Sequence, residues 1–540
     1  MKKHNISKVV LITILVFLLL SWILPAAYFS GEYVEQGRVQ MGLFDLFNYS
    51  LTSLSYFGYI ALFIVLVGGF YGILYKIPAY RSFLDKIVRL FEGREKIFVS
   101  LAIILIALAV SICGLQFGIA LFIPFVVSII LLMGYDKIVA GFVTAGSISV
   151  GLIGGTFAYS NYGILVSYLN LATDYQIGVR FVILLVGIVL VIFNTLMYIK
   201  NNMKNIKIEK KTVKKIEDEE DIEKLVSAKK EEVKVSSKKS TSSSKSKKSS
   251  SSKKTTTKSS KSRKSDNKAA LKDEDIIVVK ENVSDYTDYI PKSVSGGHRT
   301  GSITFVFLAL FILLILAFIT WGENGFNVKL FDDITSNVLE FELFGFPIFG
   351  KLLGTINSFG NWTITDMFLP MALSVLLLAF IYNIKFDDIL DGFVSGAKKA
   401  LGPAVIVILM YTILVLVTYH PFQMSIYKAV LSSTKNFNIV TTVVTAILSG
   451  LFNSDIVYSF QAVLPYYTSL VTNADYYPTV GIIFQSMYGL TMLVAPTSLT
   501  LMAVLTYLDI PYTKWLKNVW KLLLELFIIL LVIFIILTLV

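Results

Sequence analysis

The stretch that decides the fold runs from Ala446 to Leu505 and reads AILSGLFNSDIVYSFQAVLPYYTSLVTNADYYPTVGIIFQSMYGLTMLVAPTSLTLMAVL. It holds two apolar segments, and small and polar residues interrupt each of them midway, at 449–455 and at 495–498. Lipid offers no hydrogen-bond partner to the N–H and C=O groups that an interruption frees, so protein or a wet cavity must surround it. The ends of half-helices also present dipoles that suit small ions and charged solutes.

The composition of the whole chain indicates a membrane protein. Hydrophobic residues make up 55% of the 540 residues, charged residues 16%, and the mean hydropathy is +0.69. Many apolar runs reach the roughly 18–20 residues that a helix needs to cross the hydrocarbon core. These features predict an all-α polytopic membrane protein. The first 30 residues resemble a signal peptide, but with so many later spans we expect a retained first helix. The single cysteine, Cys113, excludes an intramolecular disulfide.

The net charge of +12 is concentrated in residues 201–300. The middle of this segment, Lys238–Lys264, is almost wholly Ser, Lys and Thr, which cannot bury enough apolar surface to offset chain entropy. We therefore expect a disordered cytoplasmic linker. Lys238–Lys264 has no aromatic residue on which a base could stack, so no nucleic-acid partner is expected. Attraction to anionic lipid headgroups is the alternative interpretation.

The first membrane segment, 1–200, is predicted to hold ordinary spans, one surface helix and two interrupted elements. The spans are expected at 8–28, 57–76 and 175–200, with a mixed interfacial stretch at 42–57 and an amphipathic surface helix at Tyr80–Gly93. Residues 96–134, interrupted at 113–118, form two full spans or one re-entrant hairpin. Residues 136–171 form a helix that is broken at 154–161.

The second membrane segment, 301–540, repeats this order. Spans are expected at 301–321, 366–384, 402–420 and 513–540, with an amphipathic helix at 386–401, a hairpin at 438–471 and a broken helix at 477–508. Shifting residues 101–195 forward by 341 positions places Pro124 on Pro465, Thr156 on Thr497 and Arg180 on Lys521. Because both interruptions also coincide under this shift, we expect an internal repeat.

The distribution of basic residues predicts the orientation of the two halves. Lysines near the N-terminus and in the loop 76–96 place the N-terminus and the linker in the cytoplasm by the positive-inside rule. The span at 301–321 then adds an odd crossing, so the second half is inverted relative to the first. We therefore expect two inverted repeats with re-entrant hairpins and discontinuous helices, and a C-terminus outside.

Several segments resemble the YfcC/DcuC family of bacterial carriers in the ion transporter superfamily. The most specific are GFVSGAKKALGPAVIV at 392–407 and LVAPTSLTLMAVLTYLDIPYTKWLK at 493–517, and WILPAAYFSGEY at 22–33 adds to them. The resemblance implies carriage of C4-dicarboxylates or amino acids by exchange or ion coupling. It also implies an elevator arrangement, in which a scaffold forms a homodimer and a transport domain carries the hairpins. The two hairpin tips, 116–120 and 453–457, depart from the family pattern, so the solute stays open between the two classes.

The candidate binding residues lie at the hairpin tips and at the helix breaks. They are Gly114, Gln116, Gly154, Gly155, Thr156, Ser160, Asn161, Asn453, Ser454, Asp455, Pro496, Thr497 and Ser498. Hydroxyls, amides and free carbonyls suit Na⁺ or a carboxylate, and a carboxylate inside a membrane is costly and usually functional, which makes Asp455 the best ion or proton site. The alternative interpretations are a plain kink at Gly114, a solvated Asp455 and helix packing by small residues. Gln485 and Tyr488 contact solute or fill the interior, and His420 is expected at the membrane interface.

These features predict a secondary active transporter for a small organic anion or amino acid in the bacterial cytoplasmic membrane. The sequence has no phosphate-binding loop, no HExxH and no Cys/His cluster, so neither an ATP-driven pump, a metalloenzyme nor any other enzyme is expected. No cofactor is expected beyond coupling to Na⁺ or H⁺. The alternatives are a channel, since re-entrant loops also serve channels, and a non-transporting scaffold derived from such carriers.

Overall fold

The computed structural model describes residues 5–201, 286, 288–292, 298–434 and 436–539. Most of the predicted linker, including Lys238–Lys264, lies outside these residues, and its disorder stays a prediction. In the first membrane segment the helices are α1 (Asn5–Ile23), α2 (Leu43–Leu74), α3 (Pro78–Leu90), α4 (Glu95–Cys113), α5 (Ile123–Leu132), α6 (Lys137–Ile153), α7 (Tyr159–Leu169) and α8 (Ile177–Asn201). Strands β1 (Ala26–Ser30) and β2 (Glu32–Gly37) form an antiparallel hairpin between α1 and α2.

The second membrane segment is also helical. Its helices are α9 (Gly301–Phe318), α10 (Leu330–Glu340), α11 (Ile348–Leu353), α12 (Phe368–Ile381), α13 (Phe386–Tyr419), α14 (Gln423–Leu431), α15 (Ile439–Phe452), α16 (Ile456–Leu470), α17 (Tyr477–Met492), α18 (Leu499–Leu508) and α19 (Tyr512–Leu539). Two short strands, β3 (Glu342–Leu343) and β4 (Phe346–Pro347), pair between α10 and α11. Within the described residues seven helices are long and apolar enough to cross a membrane, namely α1, α2, α4, α8, α9, α13 and α19. The chain is thus a predominantly helical, polytopic membrane protein.

The start of the chain differs from the sequence prediction in two places. The first span ends at Ile23 instead of continuing to 28, and the next residues form the β1–β2 hairpin. The mixed stretch 42–57 and the span 57–76 are one continuous helix, α2. Hydroxyl groups made the first half of α2 look interfacial, but Ser50, Thr52 and Ser55 each donate to the carbonyl four residues earlier. Their polarity is therefore satisfied within the helix.

Helix α13 likewise joins two predicted elements, the amphipathic stretch 386–401 and the span 402–420. Glycines on its first half face glycines of α2: Gly392 and Gly396 lie against Gly68 and Gly72, so closely that a Cβ on Gly396 would overlap the Gly68 carbonyl oxygen. Small residues four apart let two membrane helices approach at backbone distance. Packing therefore buries a face that the sequence presents as a surface helix.

The predicted amphipathic surface helix near Tyr80 is present as α3, with Tyr80, Phe83 and Leu84 buried on one face. The predicted span at 366–384 is shorter, since α12 has 14 residues and rises about 21 Å. Helix α5 has only 10 residues and rises about 15 Å, half of the roughly 30 Å hydrocarbon core. Helix α5 by itself is therefore shorter than a full span, and a re-entrant path of 96–134 stays a prediction.

Candidate functional site

The tips of the two hairpins, α4–α5 and α15–α16, lie on either side of one cavity at the middle of α2. The cavity has a volume of about 510 Å³. Its lining comes from both tips, the start of α7, the middle of α2 and α13: Tyr59, Ile60, Gly114, Leu115, Gln116, Phe117, Gly118, Ser160, Asn161, Phe318, Thr363, Ile364, Thr365, Tyr411, Asp455, Ile456 and Val457. The structure thus brings five of the predicted site residues to one space, namely Gly114, Gln116, Ser160, Asn161 and Asp455.

The second limbs of the hairpins leave the cavity toward opposite ends of α2. On α5, Ser128 lies 3.5 Å from the hydroxyl of Tyr75, the residue that follows α2. On α16, Tyr466 packs against Phe29 and Tyr33 of the β1–β2 hairpin, which leads into the start of α2. Each limb therefore begins at mid-depth and ends at a different end of the same long helix.

The first tip is a tight turn pressed against the start of α7. Gly114 ends α4 with a φ of +69°, and a Cβ there would overlap the hydroxyl of Ser160. A side chain at this position would meet both backbone strain and a steric clash. Gln116 donates from Nε2 to Asn161 Oδ1 over 3.4 Å. Asn161 belongs to the cavity lining, and its Nδ2 group is buried without a partner among the described residues.

The second tip places a carboxylate at the start of α16. Asp455 Oδ1 accepts hydrogen bonds from the backbone N–H groups of Val457 at 2.9 Å and Tyr458 at 3.3 Å. The side chain caps the helix and is stabilised by its positive end. Among the described residues no hydrogen bond reaches Oδ2, and none of the described lining residues is Lys, Arg or His. Asp455 is therefore the one charged group among the described residues of the lining.

The two residues before Asp455 lie behind the cavity wall. Asn453 and Ser454 are buried, and Asn453 donates weakly to the Ser449 carbonyl over 3.4 Å. The carbonyl of Ser454 accepts from the hydroxyl of Tyr488 at 3.0 Å, while its own hydroxyl has no partner among the described residues. In this structure Asn453 and Ser454 shape the tip and do not line the cavity.

Side chains of two helices, α4 and α17, donate to backbone carbonyls of the break between α6 and α7. Ser486 donates to the Ile153 carbonyl at 3.1 Å, and Ser111 donates to the Gly154 carbonyl at 2.8 Å. The Gly155 carbonyl accepts from Gln485 at 2.9 Å. Since these carbonyls are already occupied, Gly154 and Gly155 do not offer free oxygens to an ion here. Gln485 holds the break together and does not line the cavity.

The break between α17 and α18 is satisfied in the same manner. The carbonyls of Leu493 and Val494 accept from Trp515 at 3.0 Å and from Tyr512 at 2.5 Å, both on α19. Ser498 caps α18 by accepting from the Leu501 N–H, and Pro496 in the break has no N–H to satisfy. In each break, described side chains thus bond to backbone groups that lipid could not satisfy.

Two threonines occupy matching positions in the breaks. Thr156 donates to the carbonyl of Ser111 in the last turn of α4 at 3.3 Å, and Thr497 donates to the carbonyl of Leu451 in the last turn of α15 at 3.0 Å. Thr156 and Thr497 are the pair that the shift of 341 positions superimposes. Both threonines are buried and fasten a break to its hairpin, so neither lies in the cavity.

A buried arginine stands behind the first break. Arg180 on α8 is 1% exposed, lies over the rings of Tyr162 and Tyr175, and donates to the carbonyls of Gly155 and Thr173. Its Nε has no partner, and no carboxylate pairs with it among the described residues. The cation–π contacts replace part of the hydration that the guanidinium loses.

Four polar residues of the cavity lining are absent from the sequence prediction, namely Tyr59, Thr363, Thr365 and Tyr411. Tyr59 and Tyr411 place hydroxyl groups within long apolar helices, and that isolated polarity was a usable signal, whereas Thr363 and Thr365 lie in a connection with no pattern. His420 is 5% exposed, with Nε2 2.7 Å from the Tyr49 hydroxyl and Nδ1 2.7 Å from a backbone carbonyl. Its position at the membrane interface stays a prediction.

The long apolar helices define a polytopic membrane protein with a cavity between the tips of α4–α5 and α15–α16. The model of the C4-dicarboxylate anaerobic carrier family, DcuC, matches residues 5–245 and 261–539. The chain belongs to this family of transporters, and the match confirms the resemblance seen in the sequence. No curated protein and no solved structure matches the chain.

Proposed function

We propose that the protein is a secondary active carrier that binds a small carboxylate-bearing solute, a C4-dicarboxylate or an amino acid, between its two hairpin tips. The observation that carries this proposal is the cavity of about 510 Å³ whose wall both tips and the start of α7 share. Its volume falls in the range of about 300–1,000 Å³ that small-molecule sites occupy. The family match supports transport of a C4-dicarboxylate in particular.

The charges of the lining residues indicate what a carboxylate-bearing solute needs in order to bind. Asn161 Nδ2, the Gln116 amide and the Ser160 hydroxyl supply donors for a carboxylate at one side of the cavity. Asp455 stands at the other side without a basic residue in the described lining. An anionic solute beside an ionised Asp455 is repelled unless a proton or a cation neutralises one of the two charges. We therefore infer coupling to H⁺ or Na⁺ at Asp455, or a solute that brings its own ammonium group.

The arrangement of the hairpins supports alternating access by two inverted repeats. The limbs α5 and α16 leave the cavity toward opposite ends of α2, and Thr156 and Thr497 make matching bonds in the two halves. Two units related by a pseudo-two-fold axis in the membrane plane suit a carrier, since each can gate one side. We infer that the hairpins and broken helices move against α2 and α13 in an elevator-type cycle.

The proposal includes the orientation of the protein in the membrane. Lys76, Arg81 and Lys399 lie at the end of α2, on α3 and in the first half of α13, and we assign this side to the cytoplasm by the positive-inside rule. The N-terminus and the linker would then be cytoplasmic, in a bacterial cytoplasmic membrane. A homodimer formed through the scaffold helices completes the proposal.

Uptake into proteoliposomes tests the proposed function. Radiolabelled succinate and a panel of amino acids are offered with and without Na⁺ and pH gradients across the membrane. We expect saturable uptake of at least one solute, stimulated by one of the gradients or by the same solute inside. Flux that rises linearly with concentration would indicate a channel, and no uptake above empty liposomes would indicate a scaffold; either result contradicts the proposal.

A further inference from the structure

The short segment Asp288–Pro291, which lies near the end of the predicted linker and precedes α9, is held against the membrane body. The side chain of Tyr289 is 8% exposed, and Pro291 is buried as well. Four consecutive residues of an otherwise polar region thus occupy a defined groove. The sequence of the groove's occupant, Asp-Tyr-Ile-Pro, combines one acid with apolar side chains.

One wall of this groove belongs to α2, α3 and α13. The Tyr75 hydroxyl, directly after α2, donates to the carbonyl of Tyr289 at 2.9 Å. Arg81 on α3 donates from Nη1 to the carbonyl of Pro291 at 2.9 Å. Lys399 on α13 lies 3.2 Å from the carbonyl and 3.5 Å from the carboxylate of Asp288. These contacts recognise the backbone as much as the side chains.

The opposite wall belongs to α5, α6 and α18. The Ser128 hydroxyl on α5 donates to the Tyr289 carbonyl at 2.6 Å. The Tyr289 hydroxyl donates to the carbonyl of Tyr507 on α18 at 2.9 Å, and the two rings meet edge to face at 5.6 Å. The Lys137 ammonium lies 4.9 Å from the centre of the Tyr289 ring. A single carbonyl, that of Tyr289, therefore accepts from both walls at once.

The same two walls continue inward toward the proposed binding site. A cavity of about 80 Å³ lies between them, and its lining includes Gln116 and Phe117 of the first tip, Pro403 of α13, and Ala503 and Tyr507 of α18. Tyr507 thus belongs both to this inner gap and to the contact with Tyr289. The segment lies across the outer end of the seam between the two groups of helices.

We propose that the groove is a docking site for the Asp288–Pro291 segment, which acts as a tethered latch on the linker side of the carrier. This inference rests on the proposed function, in which α5, α6 and α18 move against α2, α3 and α13. While the segment is docked it ties the two groups together and closes the seam. When it leaves, the groups separate and the path from the linker side to the first tip opens.

Thiol labelling of a reporter in the inner gap tests the latch. Ala503→Cys is introduced with Cys113→Ser, and labelling by a membrane-impermeant maleimide is followed in vesicles that expose the linker side. Tyr289→Ala removes both the ring contact and the bond to Tyr507, and we expect it to raise the labelling rate at least fivefold. The matched control is Tyr382→Ala, which removes a tyrosine bonded to Arg299 away from the groove; it should stay within twofold of the parent.

A labelling rate in Tyr289→Ala within twofold of the parent, on protein that elutes as a single folded species, overturns the latch. Tyr289→Phe keeps the ring and loses only the hydrogen bond to Tyr507. If the alanine variant does not fold, the labelling rate of Tyr289→Phe serves as the test of the latch. We expect it to label faster than the parent, and an unchanged rate overturns the latch. Uptake measured in the same vesicles separates the two proposals. Suppose that the parent protein shows no uptake but Tyr289→Ala still raises the labelling rate of the reporter thiol. The proposed carrier function is then refuted, while the segment is still shown to hold the two groups of helices together.

Discussion

At the scale of single residues, Thr156 and Thr497 make matching contacts in the two halves of the chain, as the proposed repeat requires. Each fastens a helix break to the last turn of its own hairpin. The two carbonyls differ in their donors. The Ser111 carbonyl accepts from the Thr156 N–H at 2.9 Å as well as from the Thr156 hydroxyl. The Leu451 carbonyl accepts from the hydroxyl of Thr497. The two halves therefore depend on their threonine to different degrees.

The threonine pair gives a prediction about stability. We expect Thr497→Val to lower the free energy of unfolding by about 1–3 kcal/mol, because it leaves a buried carbonyl without its partner. Thr156→Val should cost less, since the Ser111 carbonyl keeps a backbone donor. Denaturant unfolding in detergent micelles measures both, with Thr538→Val near the end of α19 as control. Equal losses in the two variants would contradict this assignment of the bonds.

Asp455 is the residue on which coupling depends in our account. Asp455→Asn keeps the size and the helix-capping oxygen but removes the charge, so the fold should persist while gradient-driven uptake is lost. Uptake in proteoliposomes measures this change. Asp475→Asn, an exposed acid in the turn after α16, is the matched control and should transport normally. Unchanged coupled uptake in Asp455→Asn would remove this carboxylate from the mechanism.

A comparison of alanine variants at Gly114 and Gly93 distinguishes the effect of backbone strain from the effect of a steric clash at the site. Both have positive φ, +69° and +76°, but a Cβ on Gly114 overlaps Ser160 whereas a Cβ on Gly93 meets open space. Each alanine variant should lose about 1–2 kcal/mol from the left-handed conformation. We expect only Gly114→Ala to reduce uptake, by at least tenfold, because it displaces the first tip from α7. Equal transport in both variants would contradict a role for this contact.

At the scale of elements, the sequence located both interruptions of the second half and both of the first. Lipid cannot satisfy freed backbone groups, so breaks need small and polar residues, and these stand out in an apolar run. The bounds are less exact: Tyr159, Ser160 and Asn161 belong to the first turn of α7, although the break was predicted to extend to 161. Side-chain donors that fill a break come from distant helices, which no local pattern reveals.

Helices α2 and α13 show what local patterns cannot supply. The sequence predicts a mixed interfacial stretch before the span of α2 and an amphipathic helix before the span of α13, because polarity changes along each helix. Hydroxyl bonds within α2 and the glycine crossing between Gly68, Gly72, Gly392 and Gly396 make each of them one helix. Both causes depend on three-dimensional contacts, so composition alone gave the wrong boundary.

The glycine crossing gives a prediction at this scale. A Cβ on Gly396 overlaps the backbone of α2, whereas a Cβ on Gly402 meets only a methyl group of Thr506 at 3.4 Å. Overpacking at such a crossing costs about 1–3 kcal/mol, so Gly396→Ala should lower the thermal midpoint in detergent. Gly402→Ala should leave it unchanged or raise it, since alanine favours the helix. A lower midpoint for Gly402→Ala than for Gly396→Ala would contradict the crossing.

At the scale of the whole molecule, sequence reasoning found part of the candidate site. Gly114, Gln116, Ser160, Asn161 and Asp455 meet at the cavity, while the predicted residues of the second break lie behind its wall. Thr497 and Ser498 resemble ligands in a sequence because hydroxyls serve packing and binding alike. Whether a hydroxyl packs or binds a ligand depends on which group it contacts in the fold. For Thr497 that group lies 46 residues away in the sequence.

In the proposed carrier one solute lies between the two hairpin tips. Cysteines placed at the tips test this position, because a bound solute should protect them from labelling. Phe117→Cys and Val457→Cys, each made with Cys113→Ser, place a thiol on the cavity wall at either tip. We predict that the transported solute slows maleimide labelling of both at least fivefold and leaves the exposed Asp475→Cys unaffected. Protection at only one tip, or at neither, in a protein that transports that solute would contradict the account.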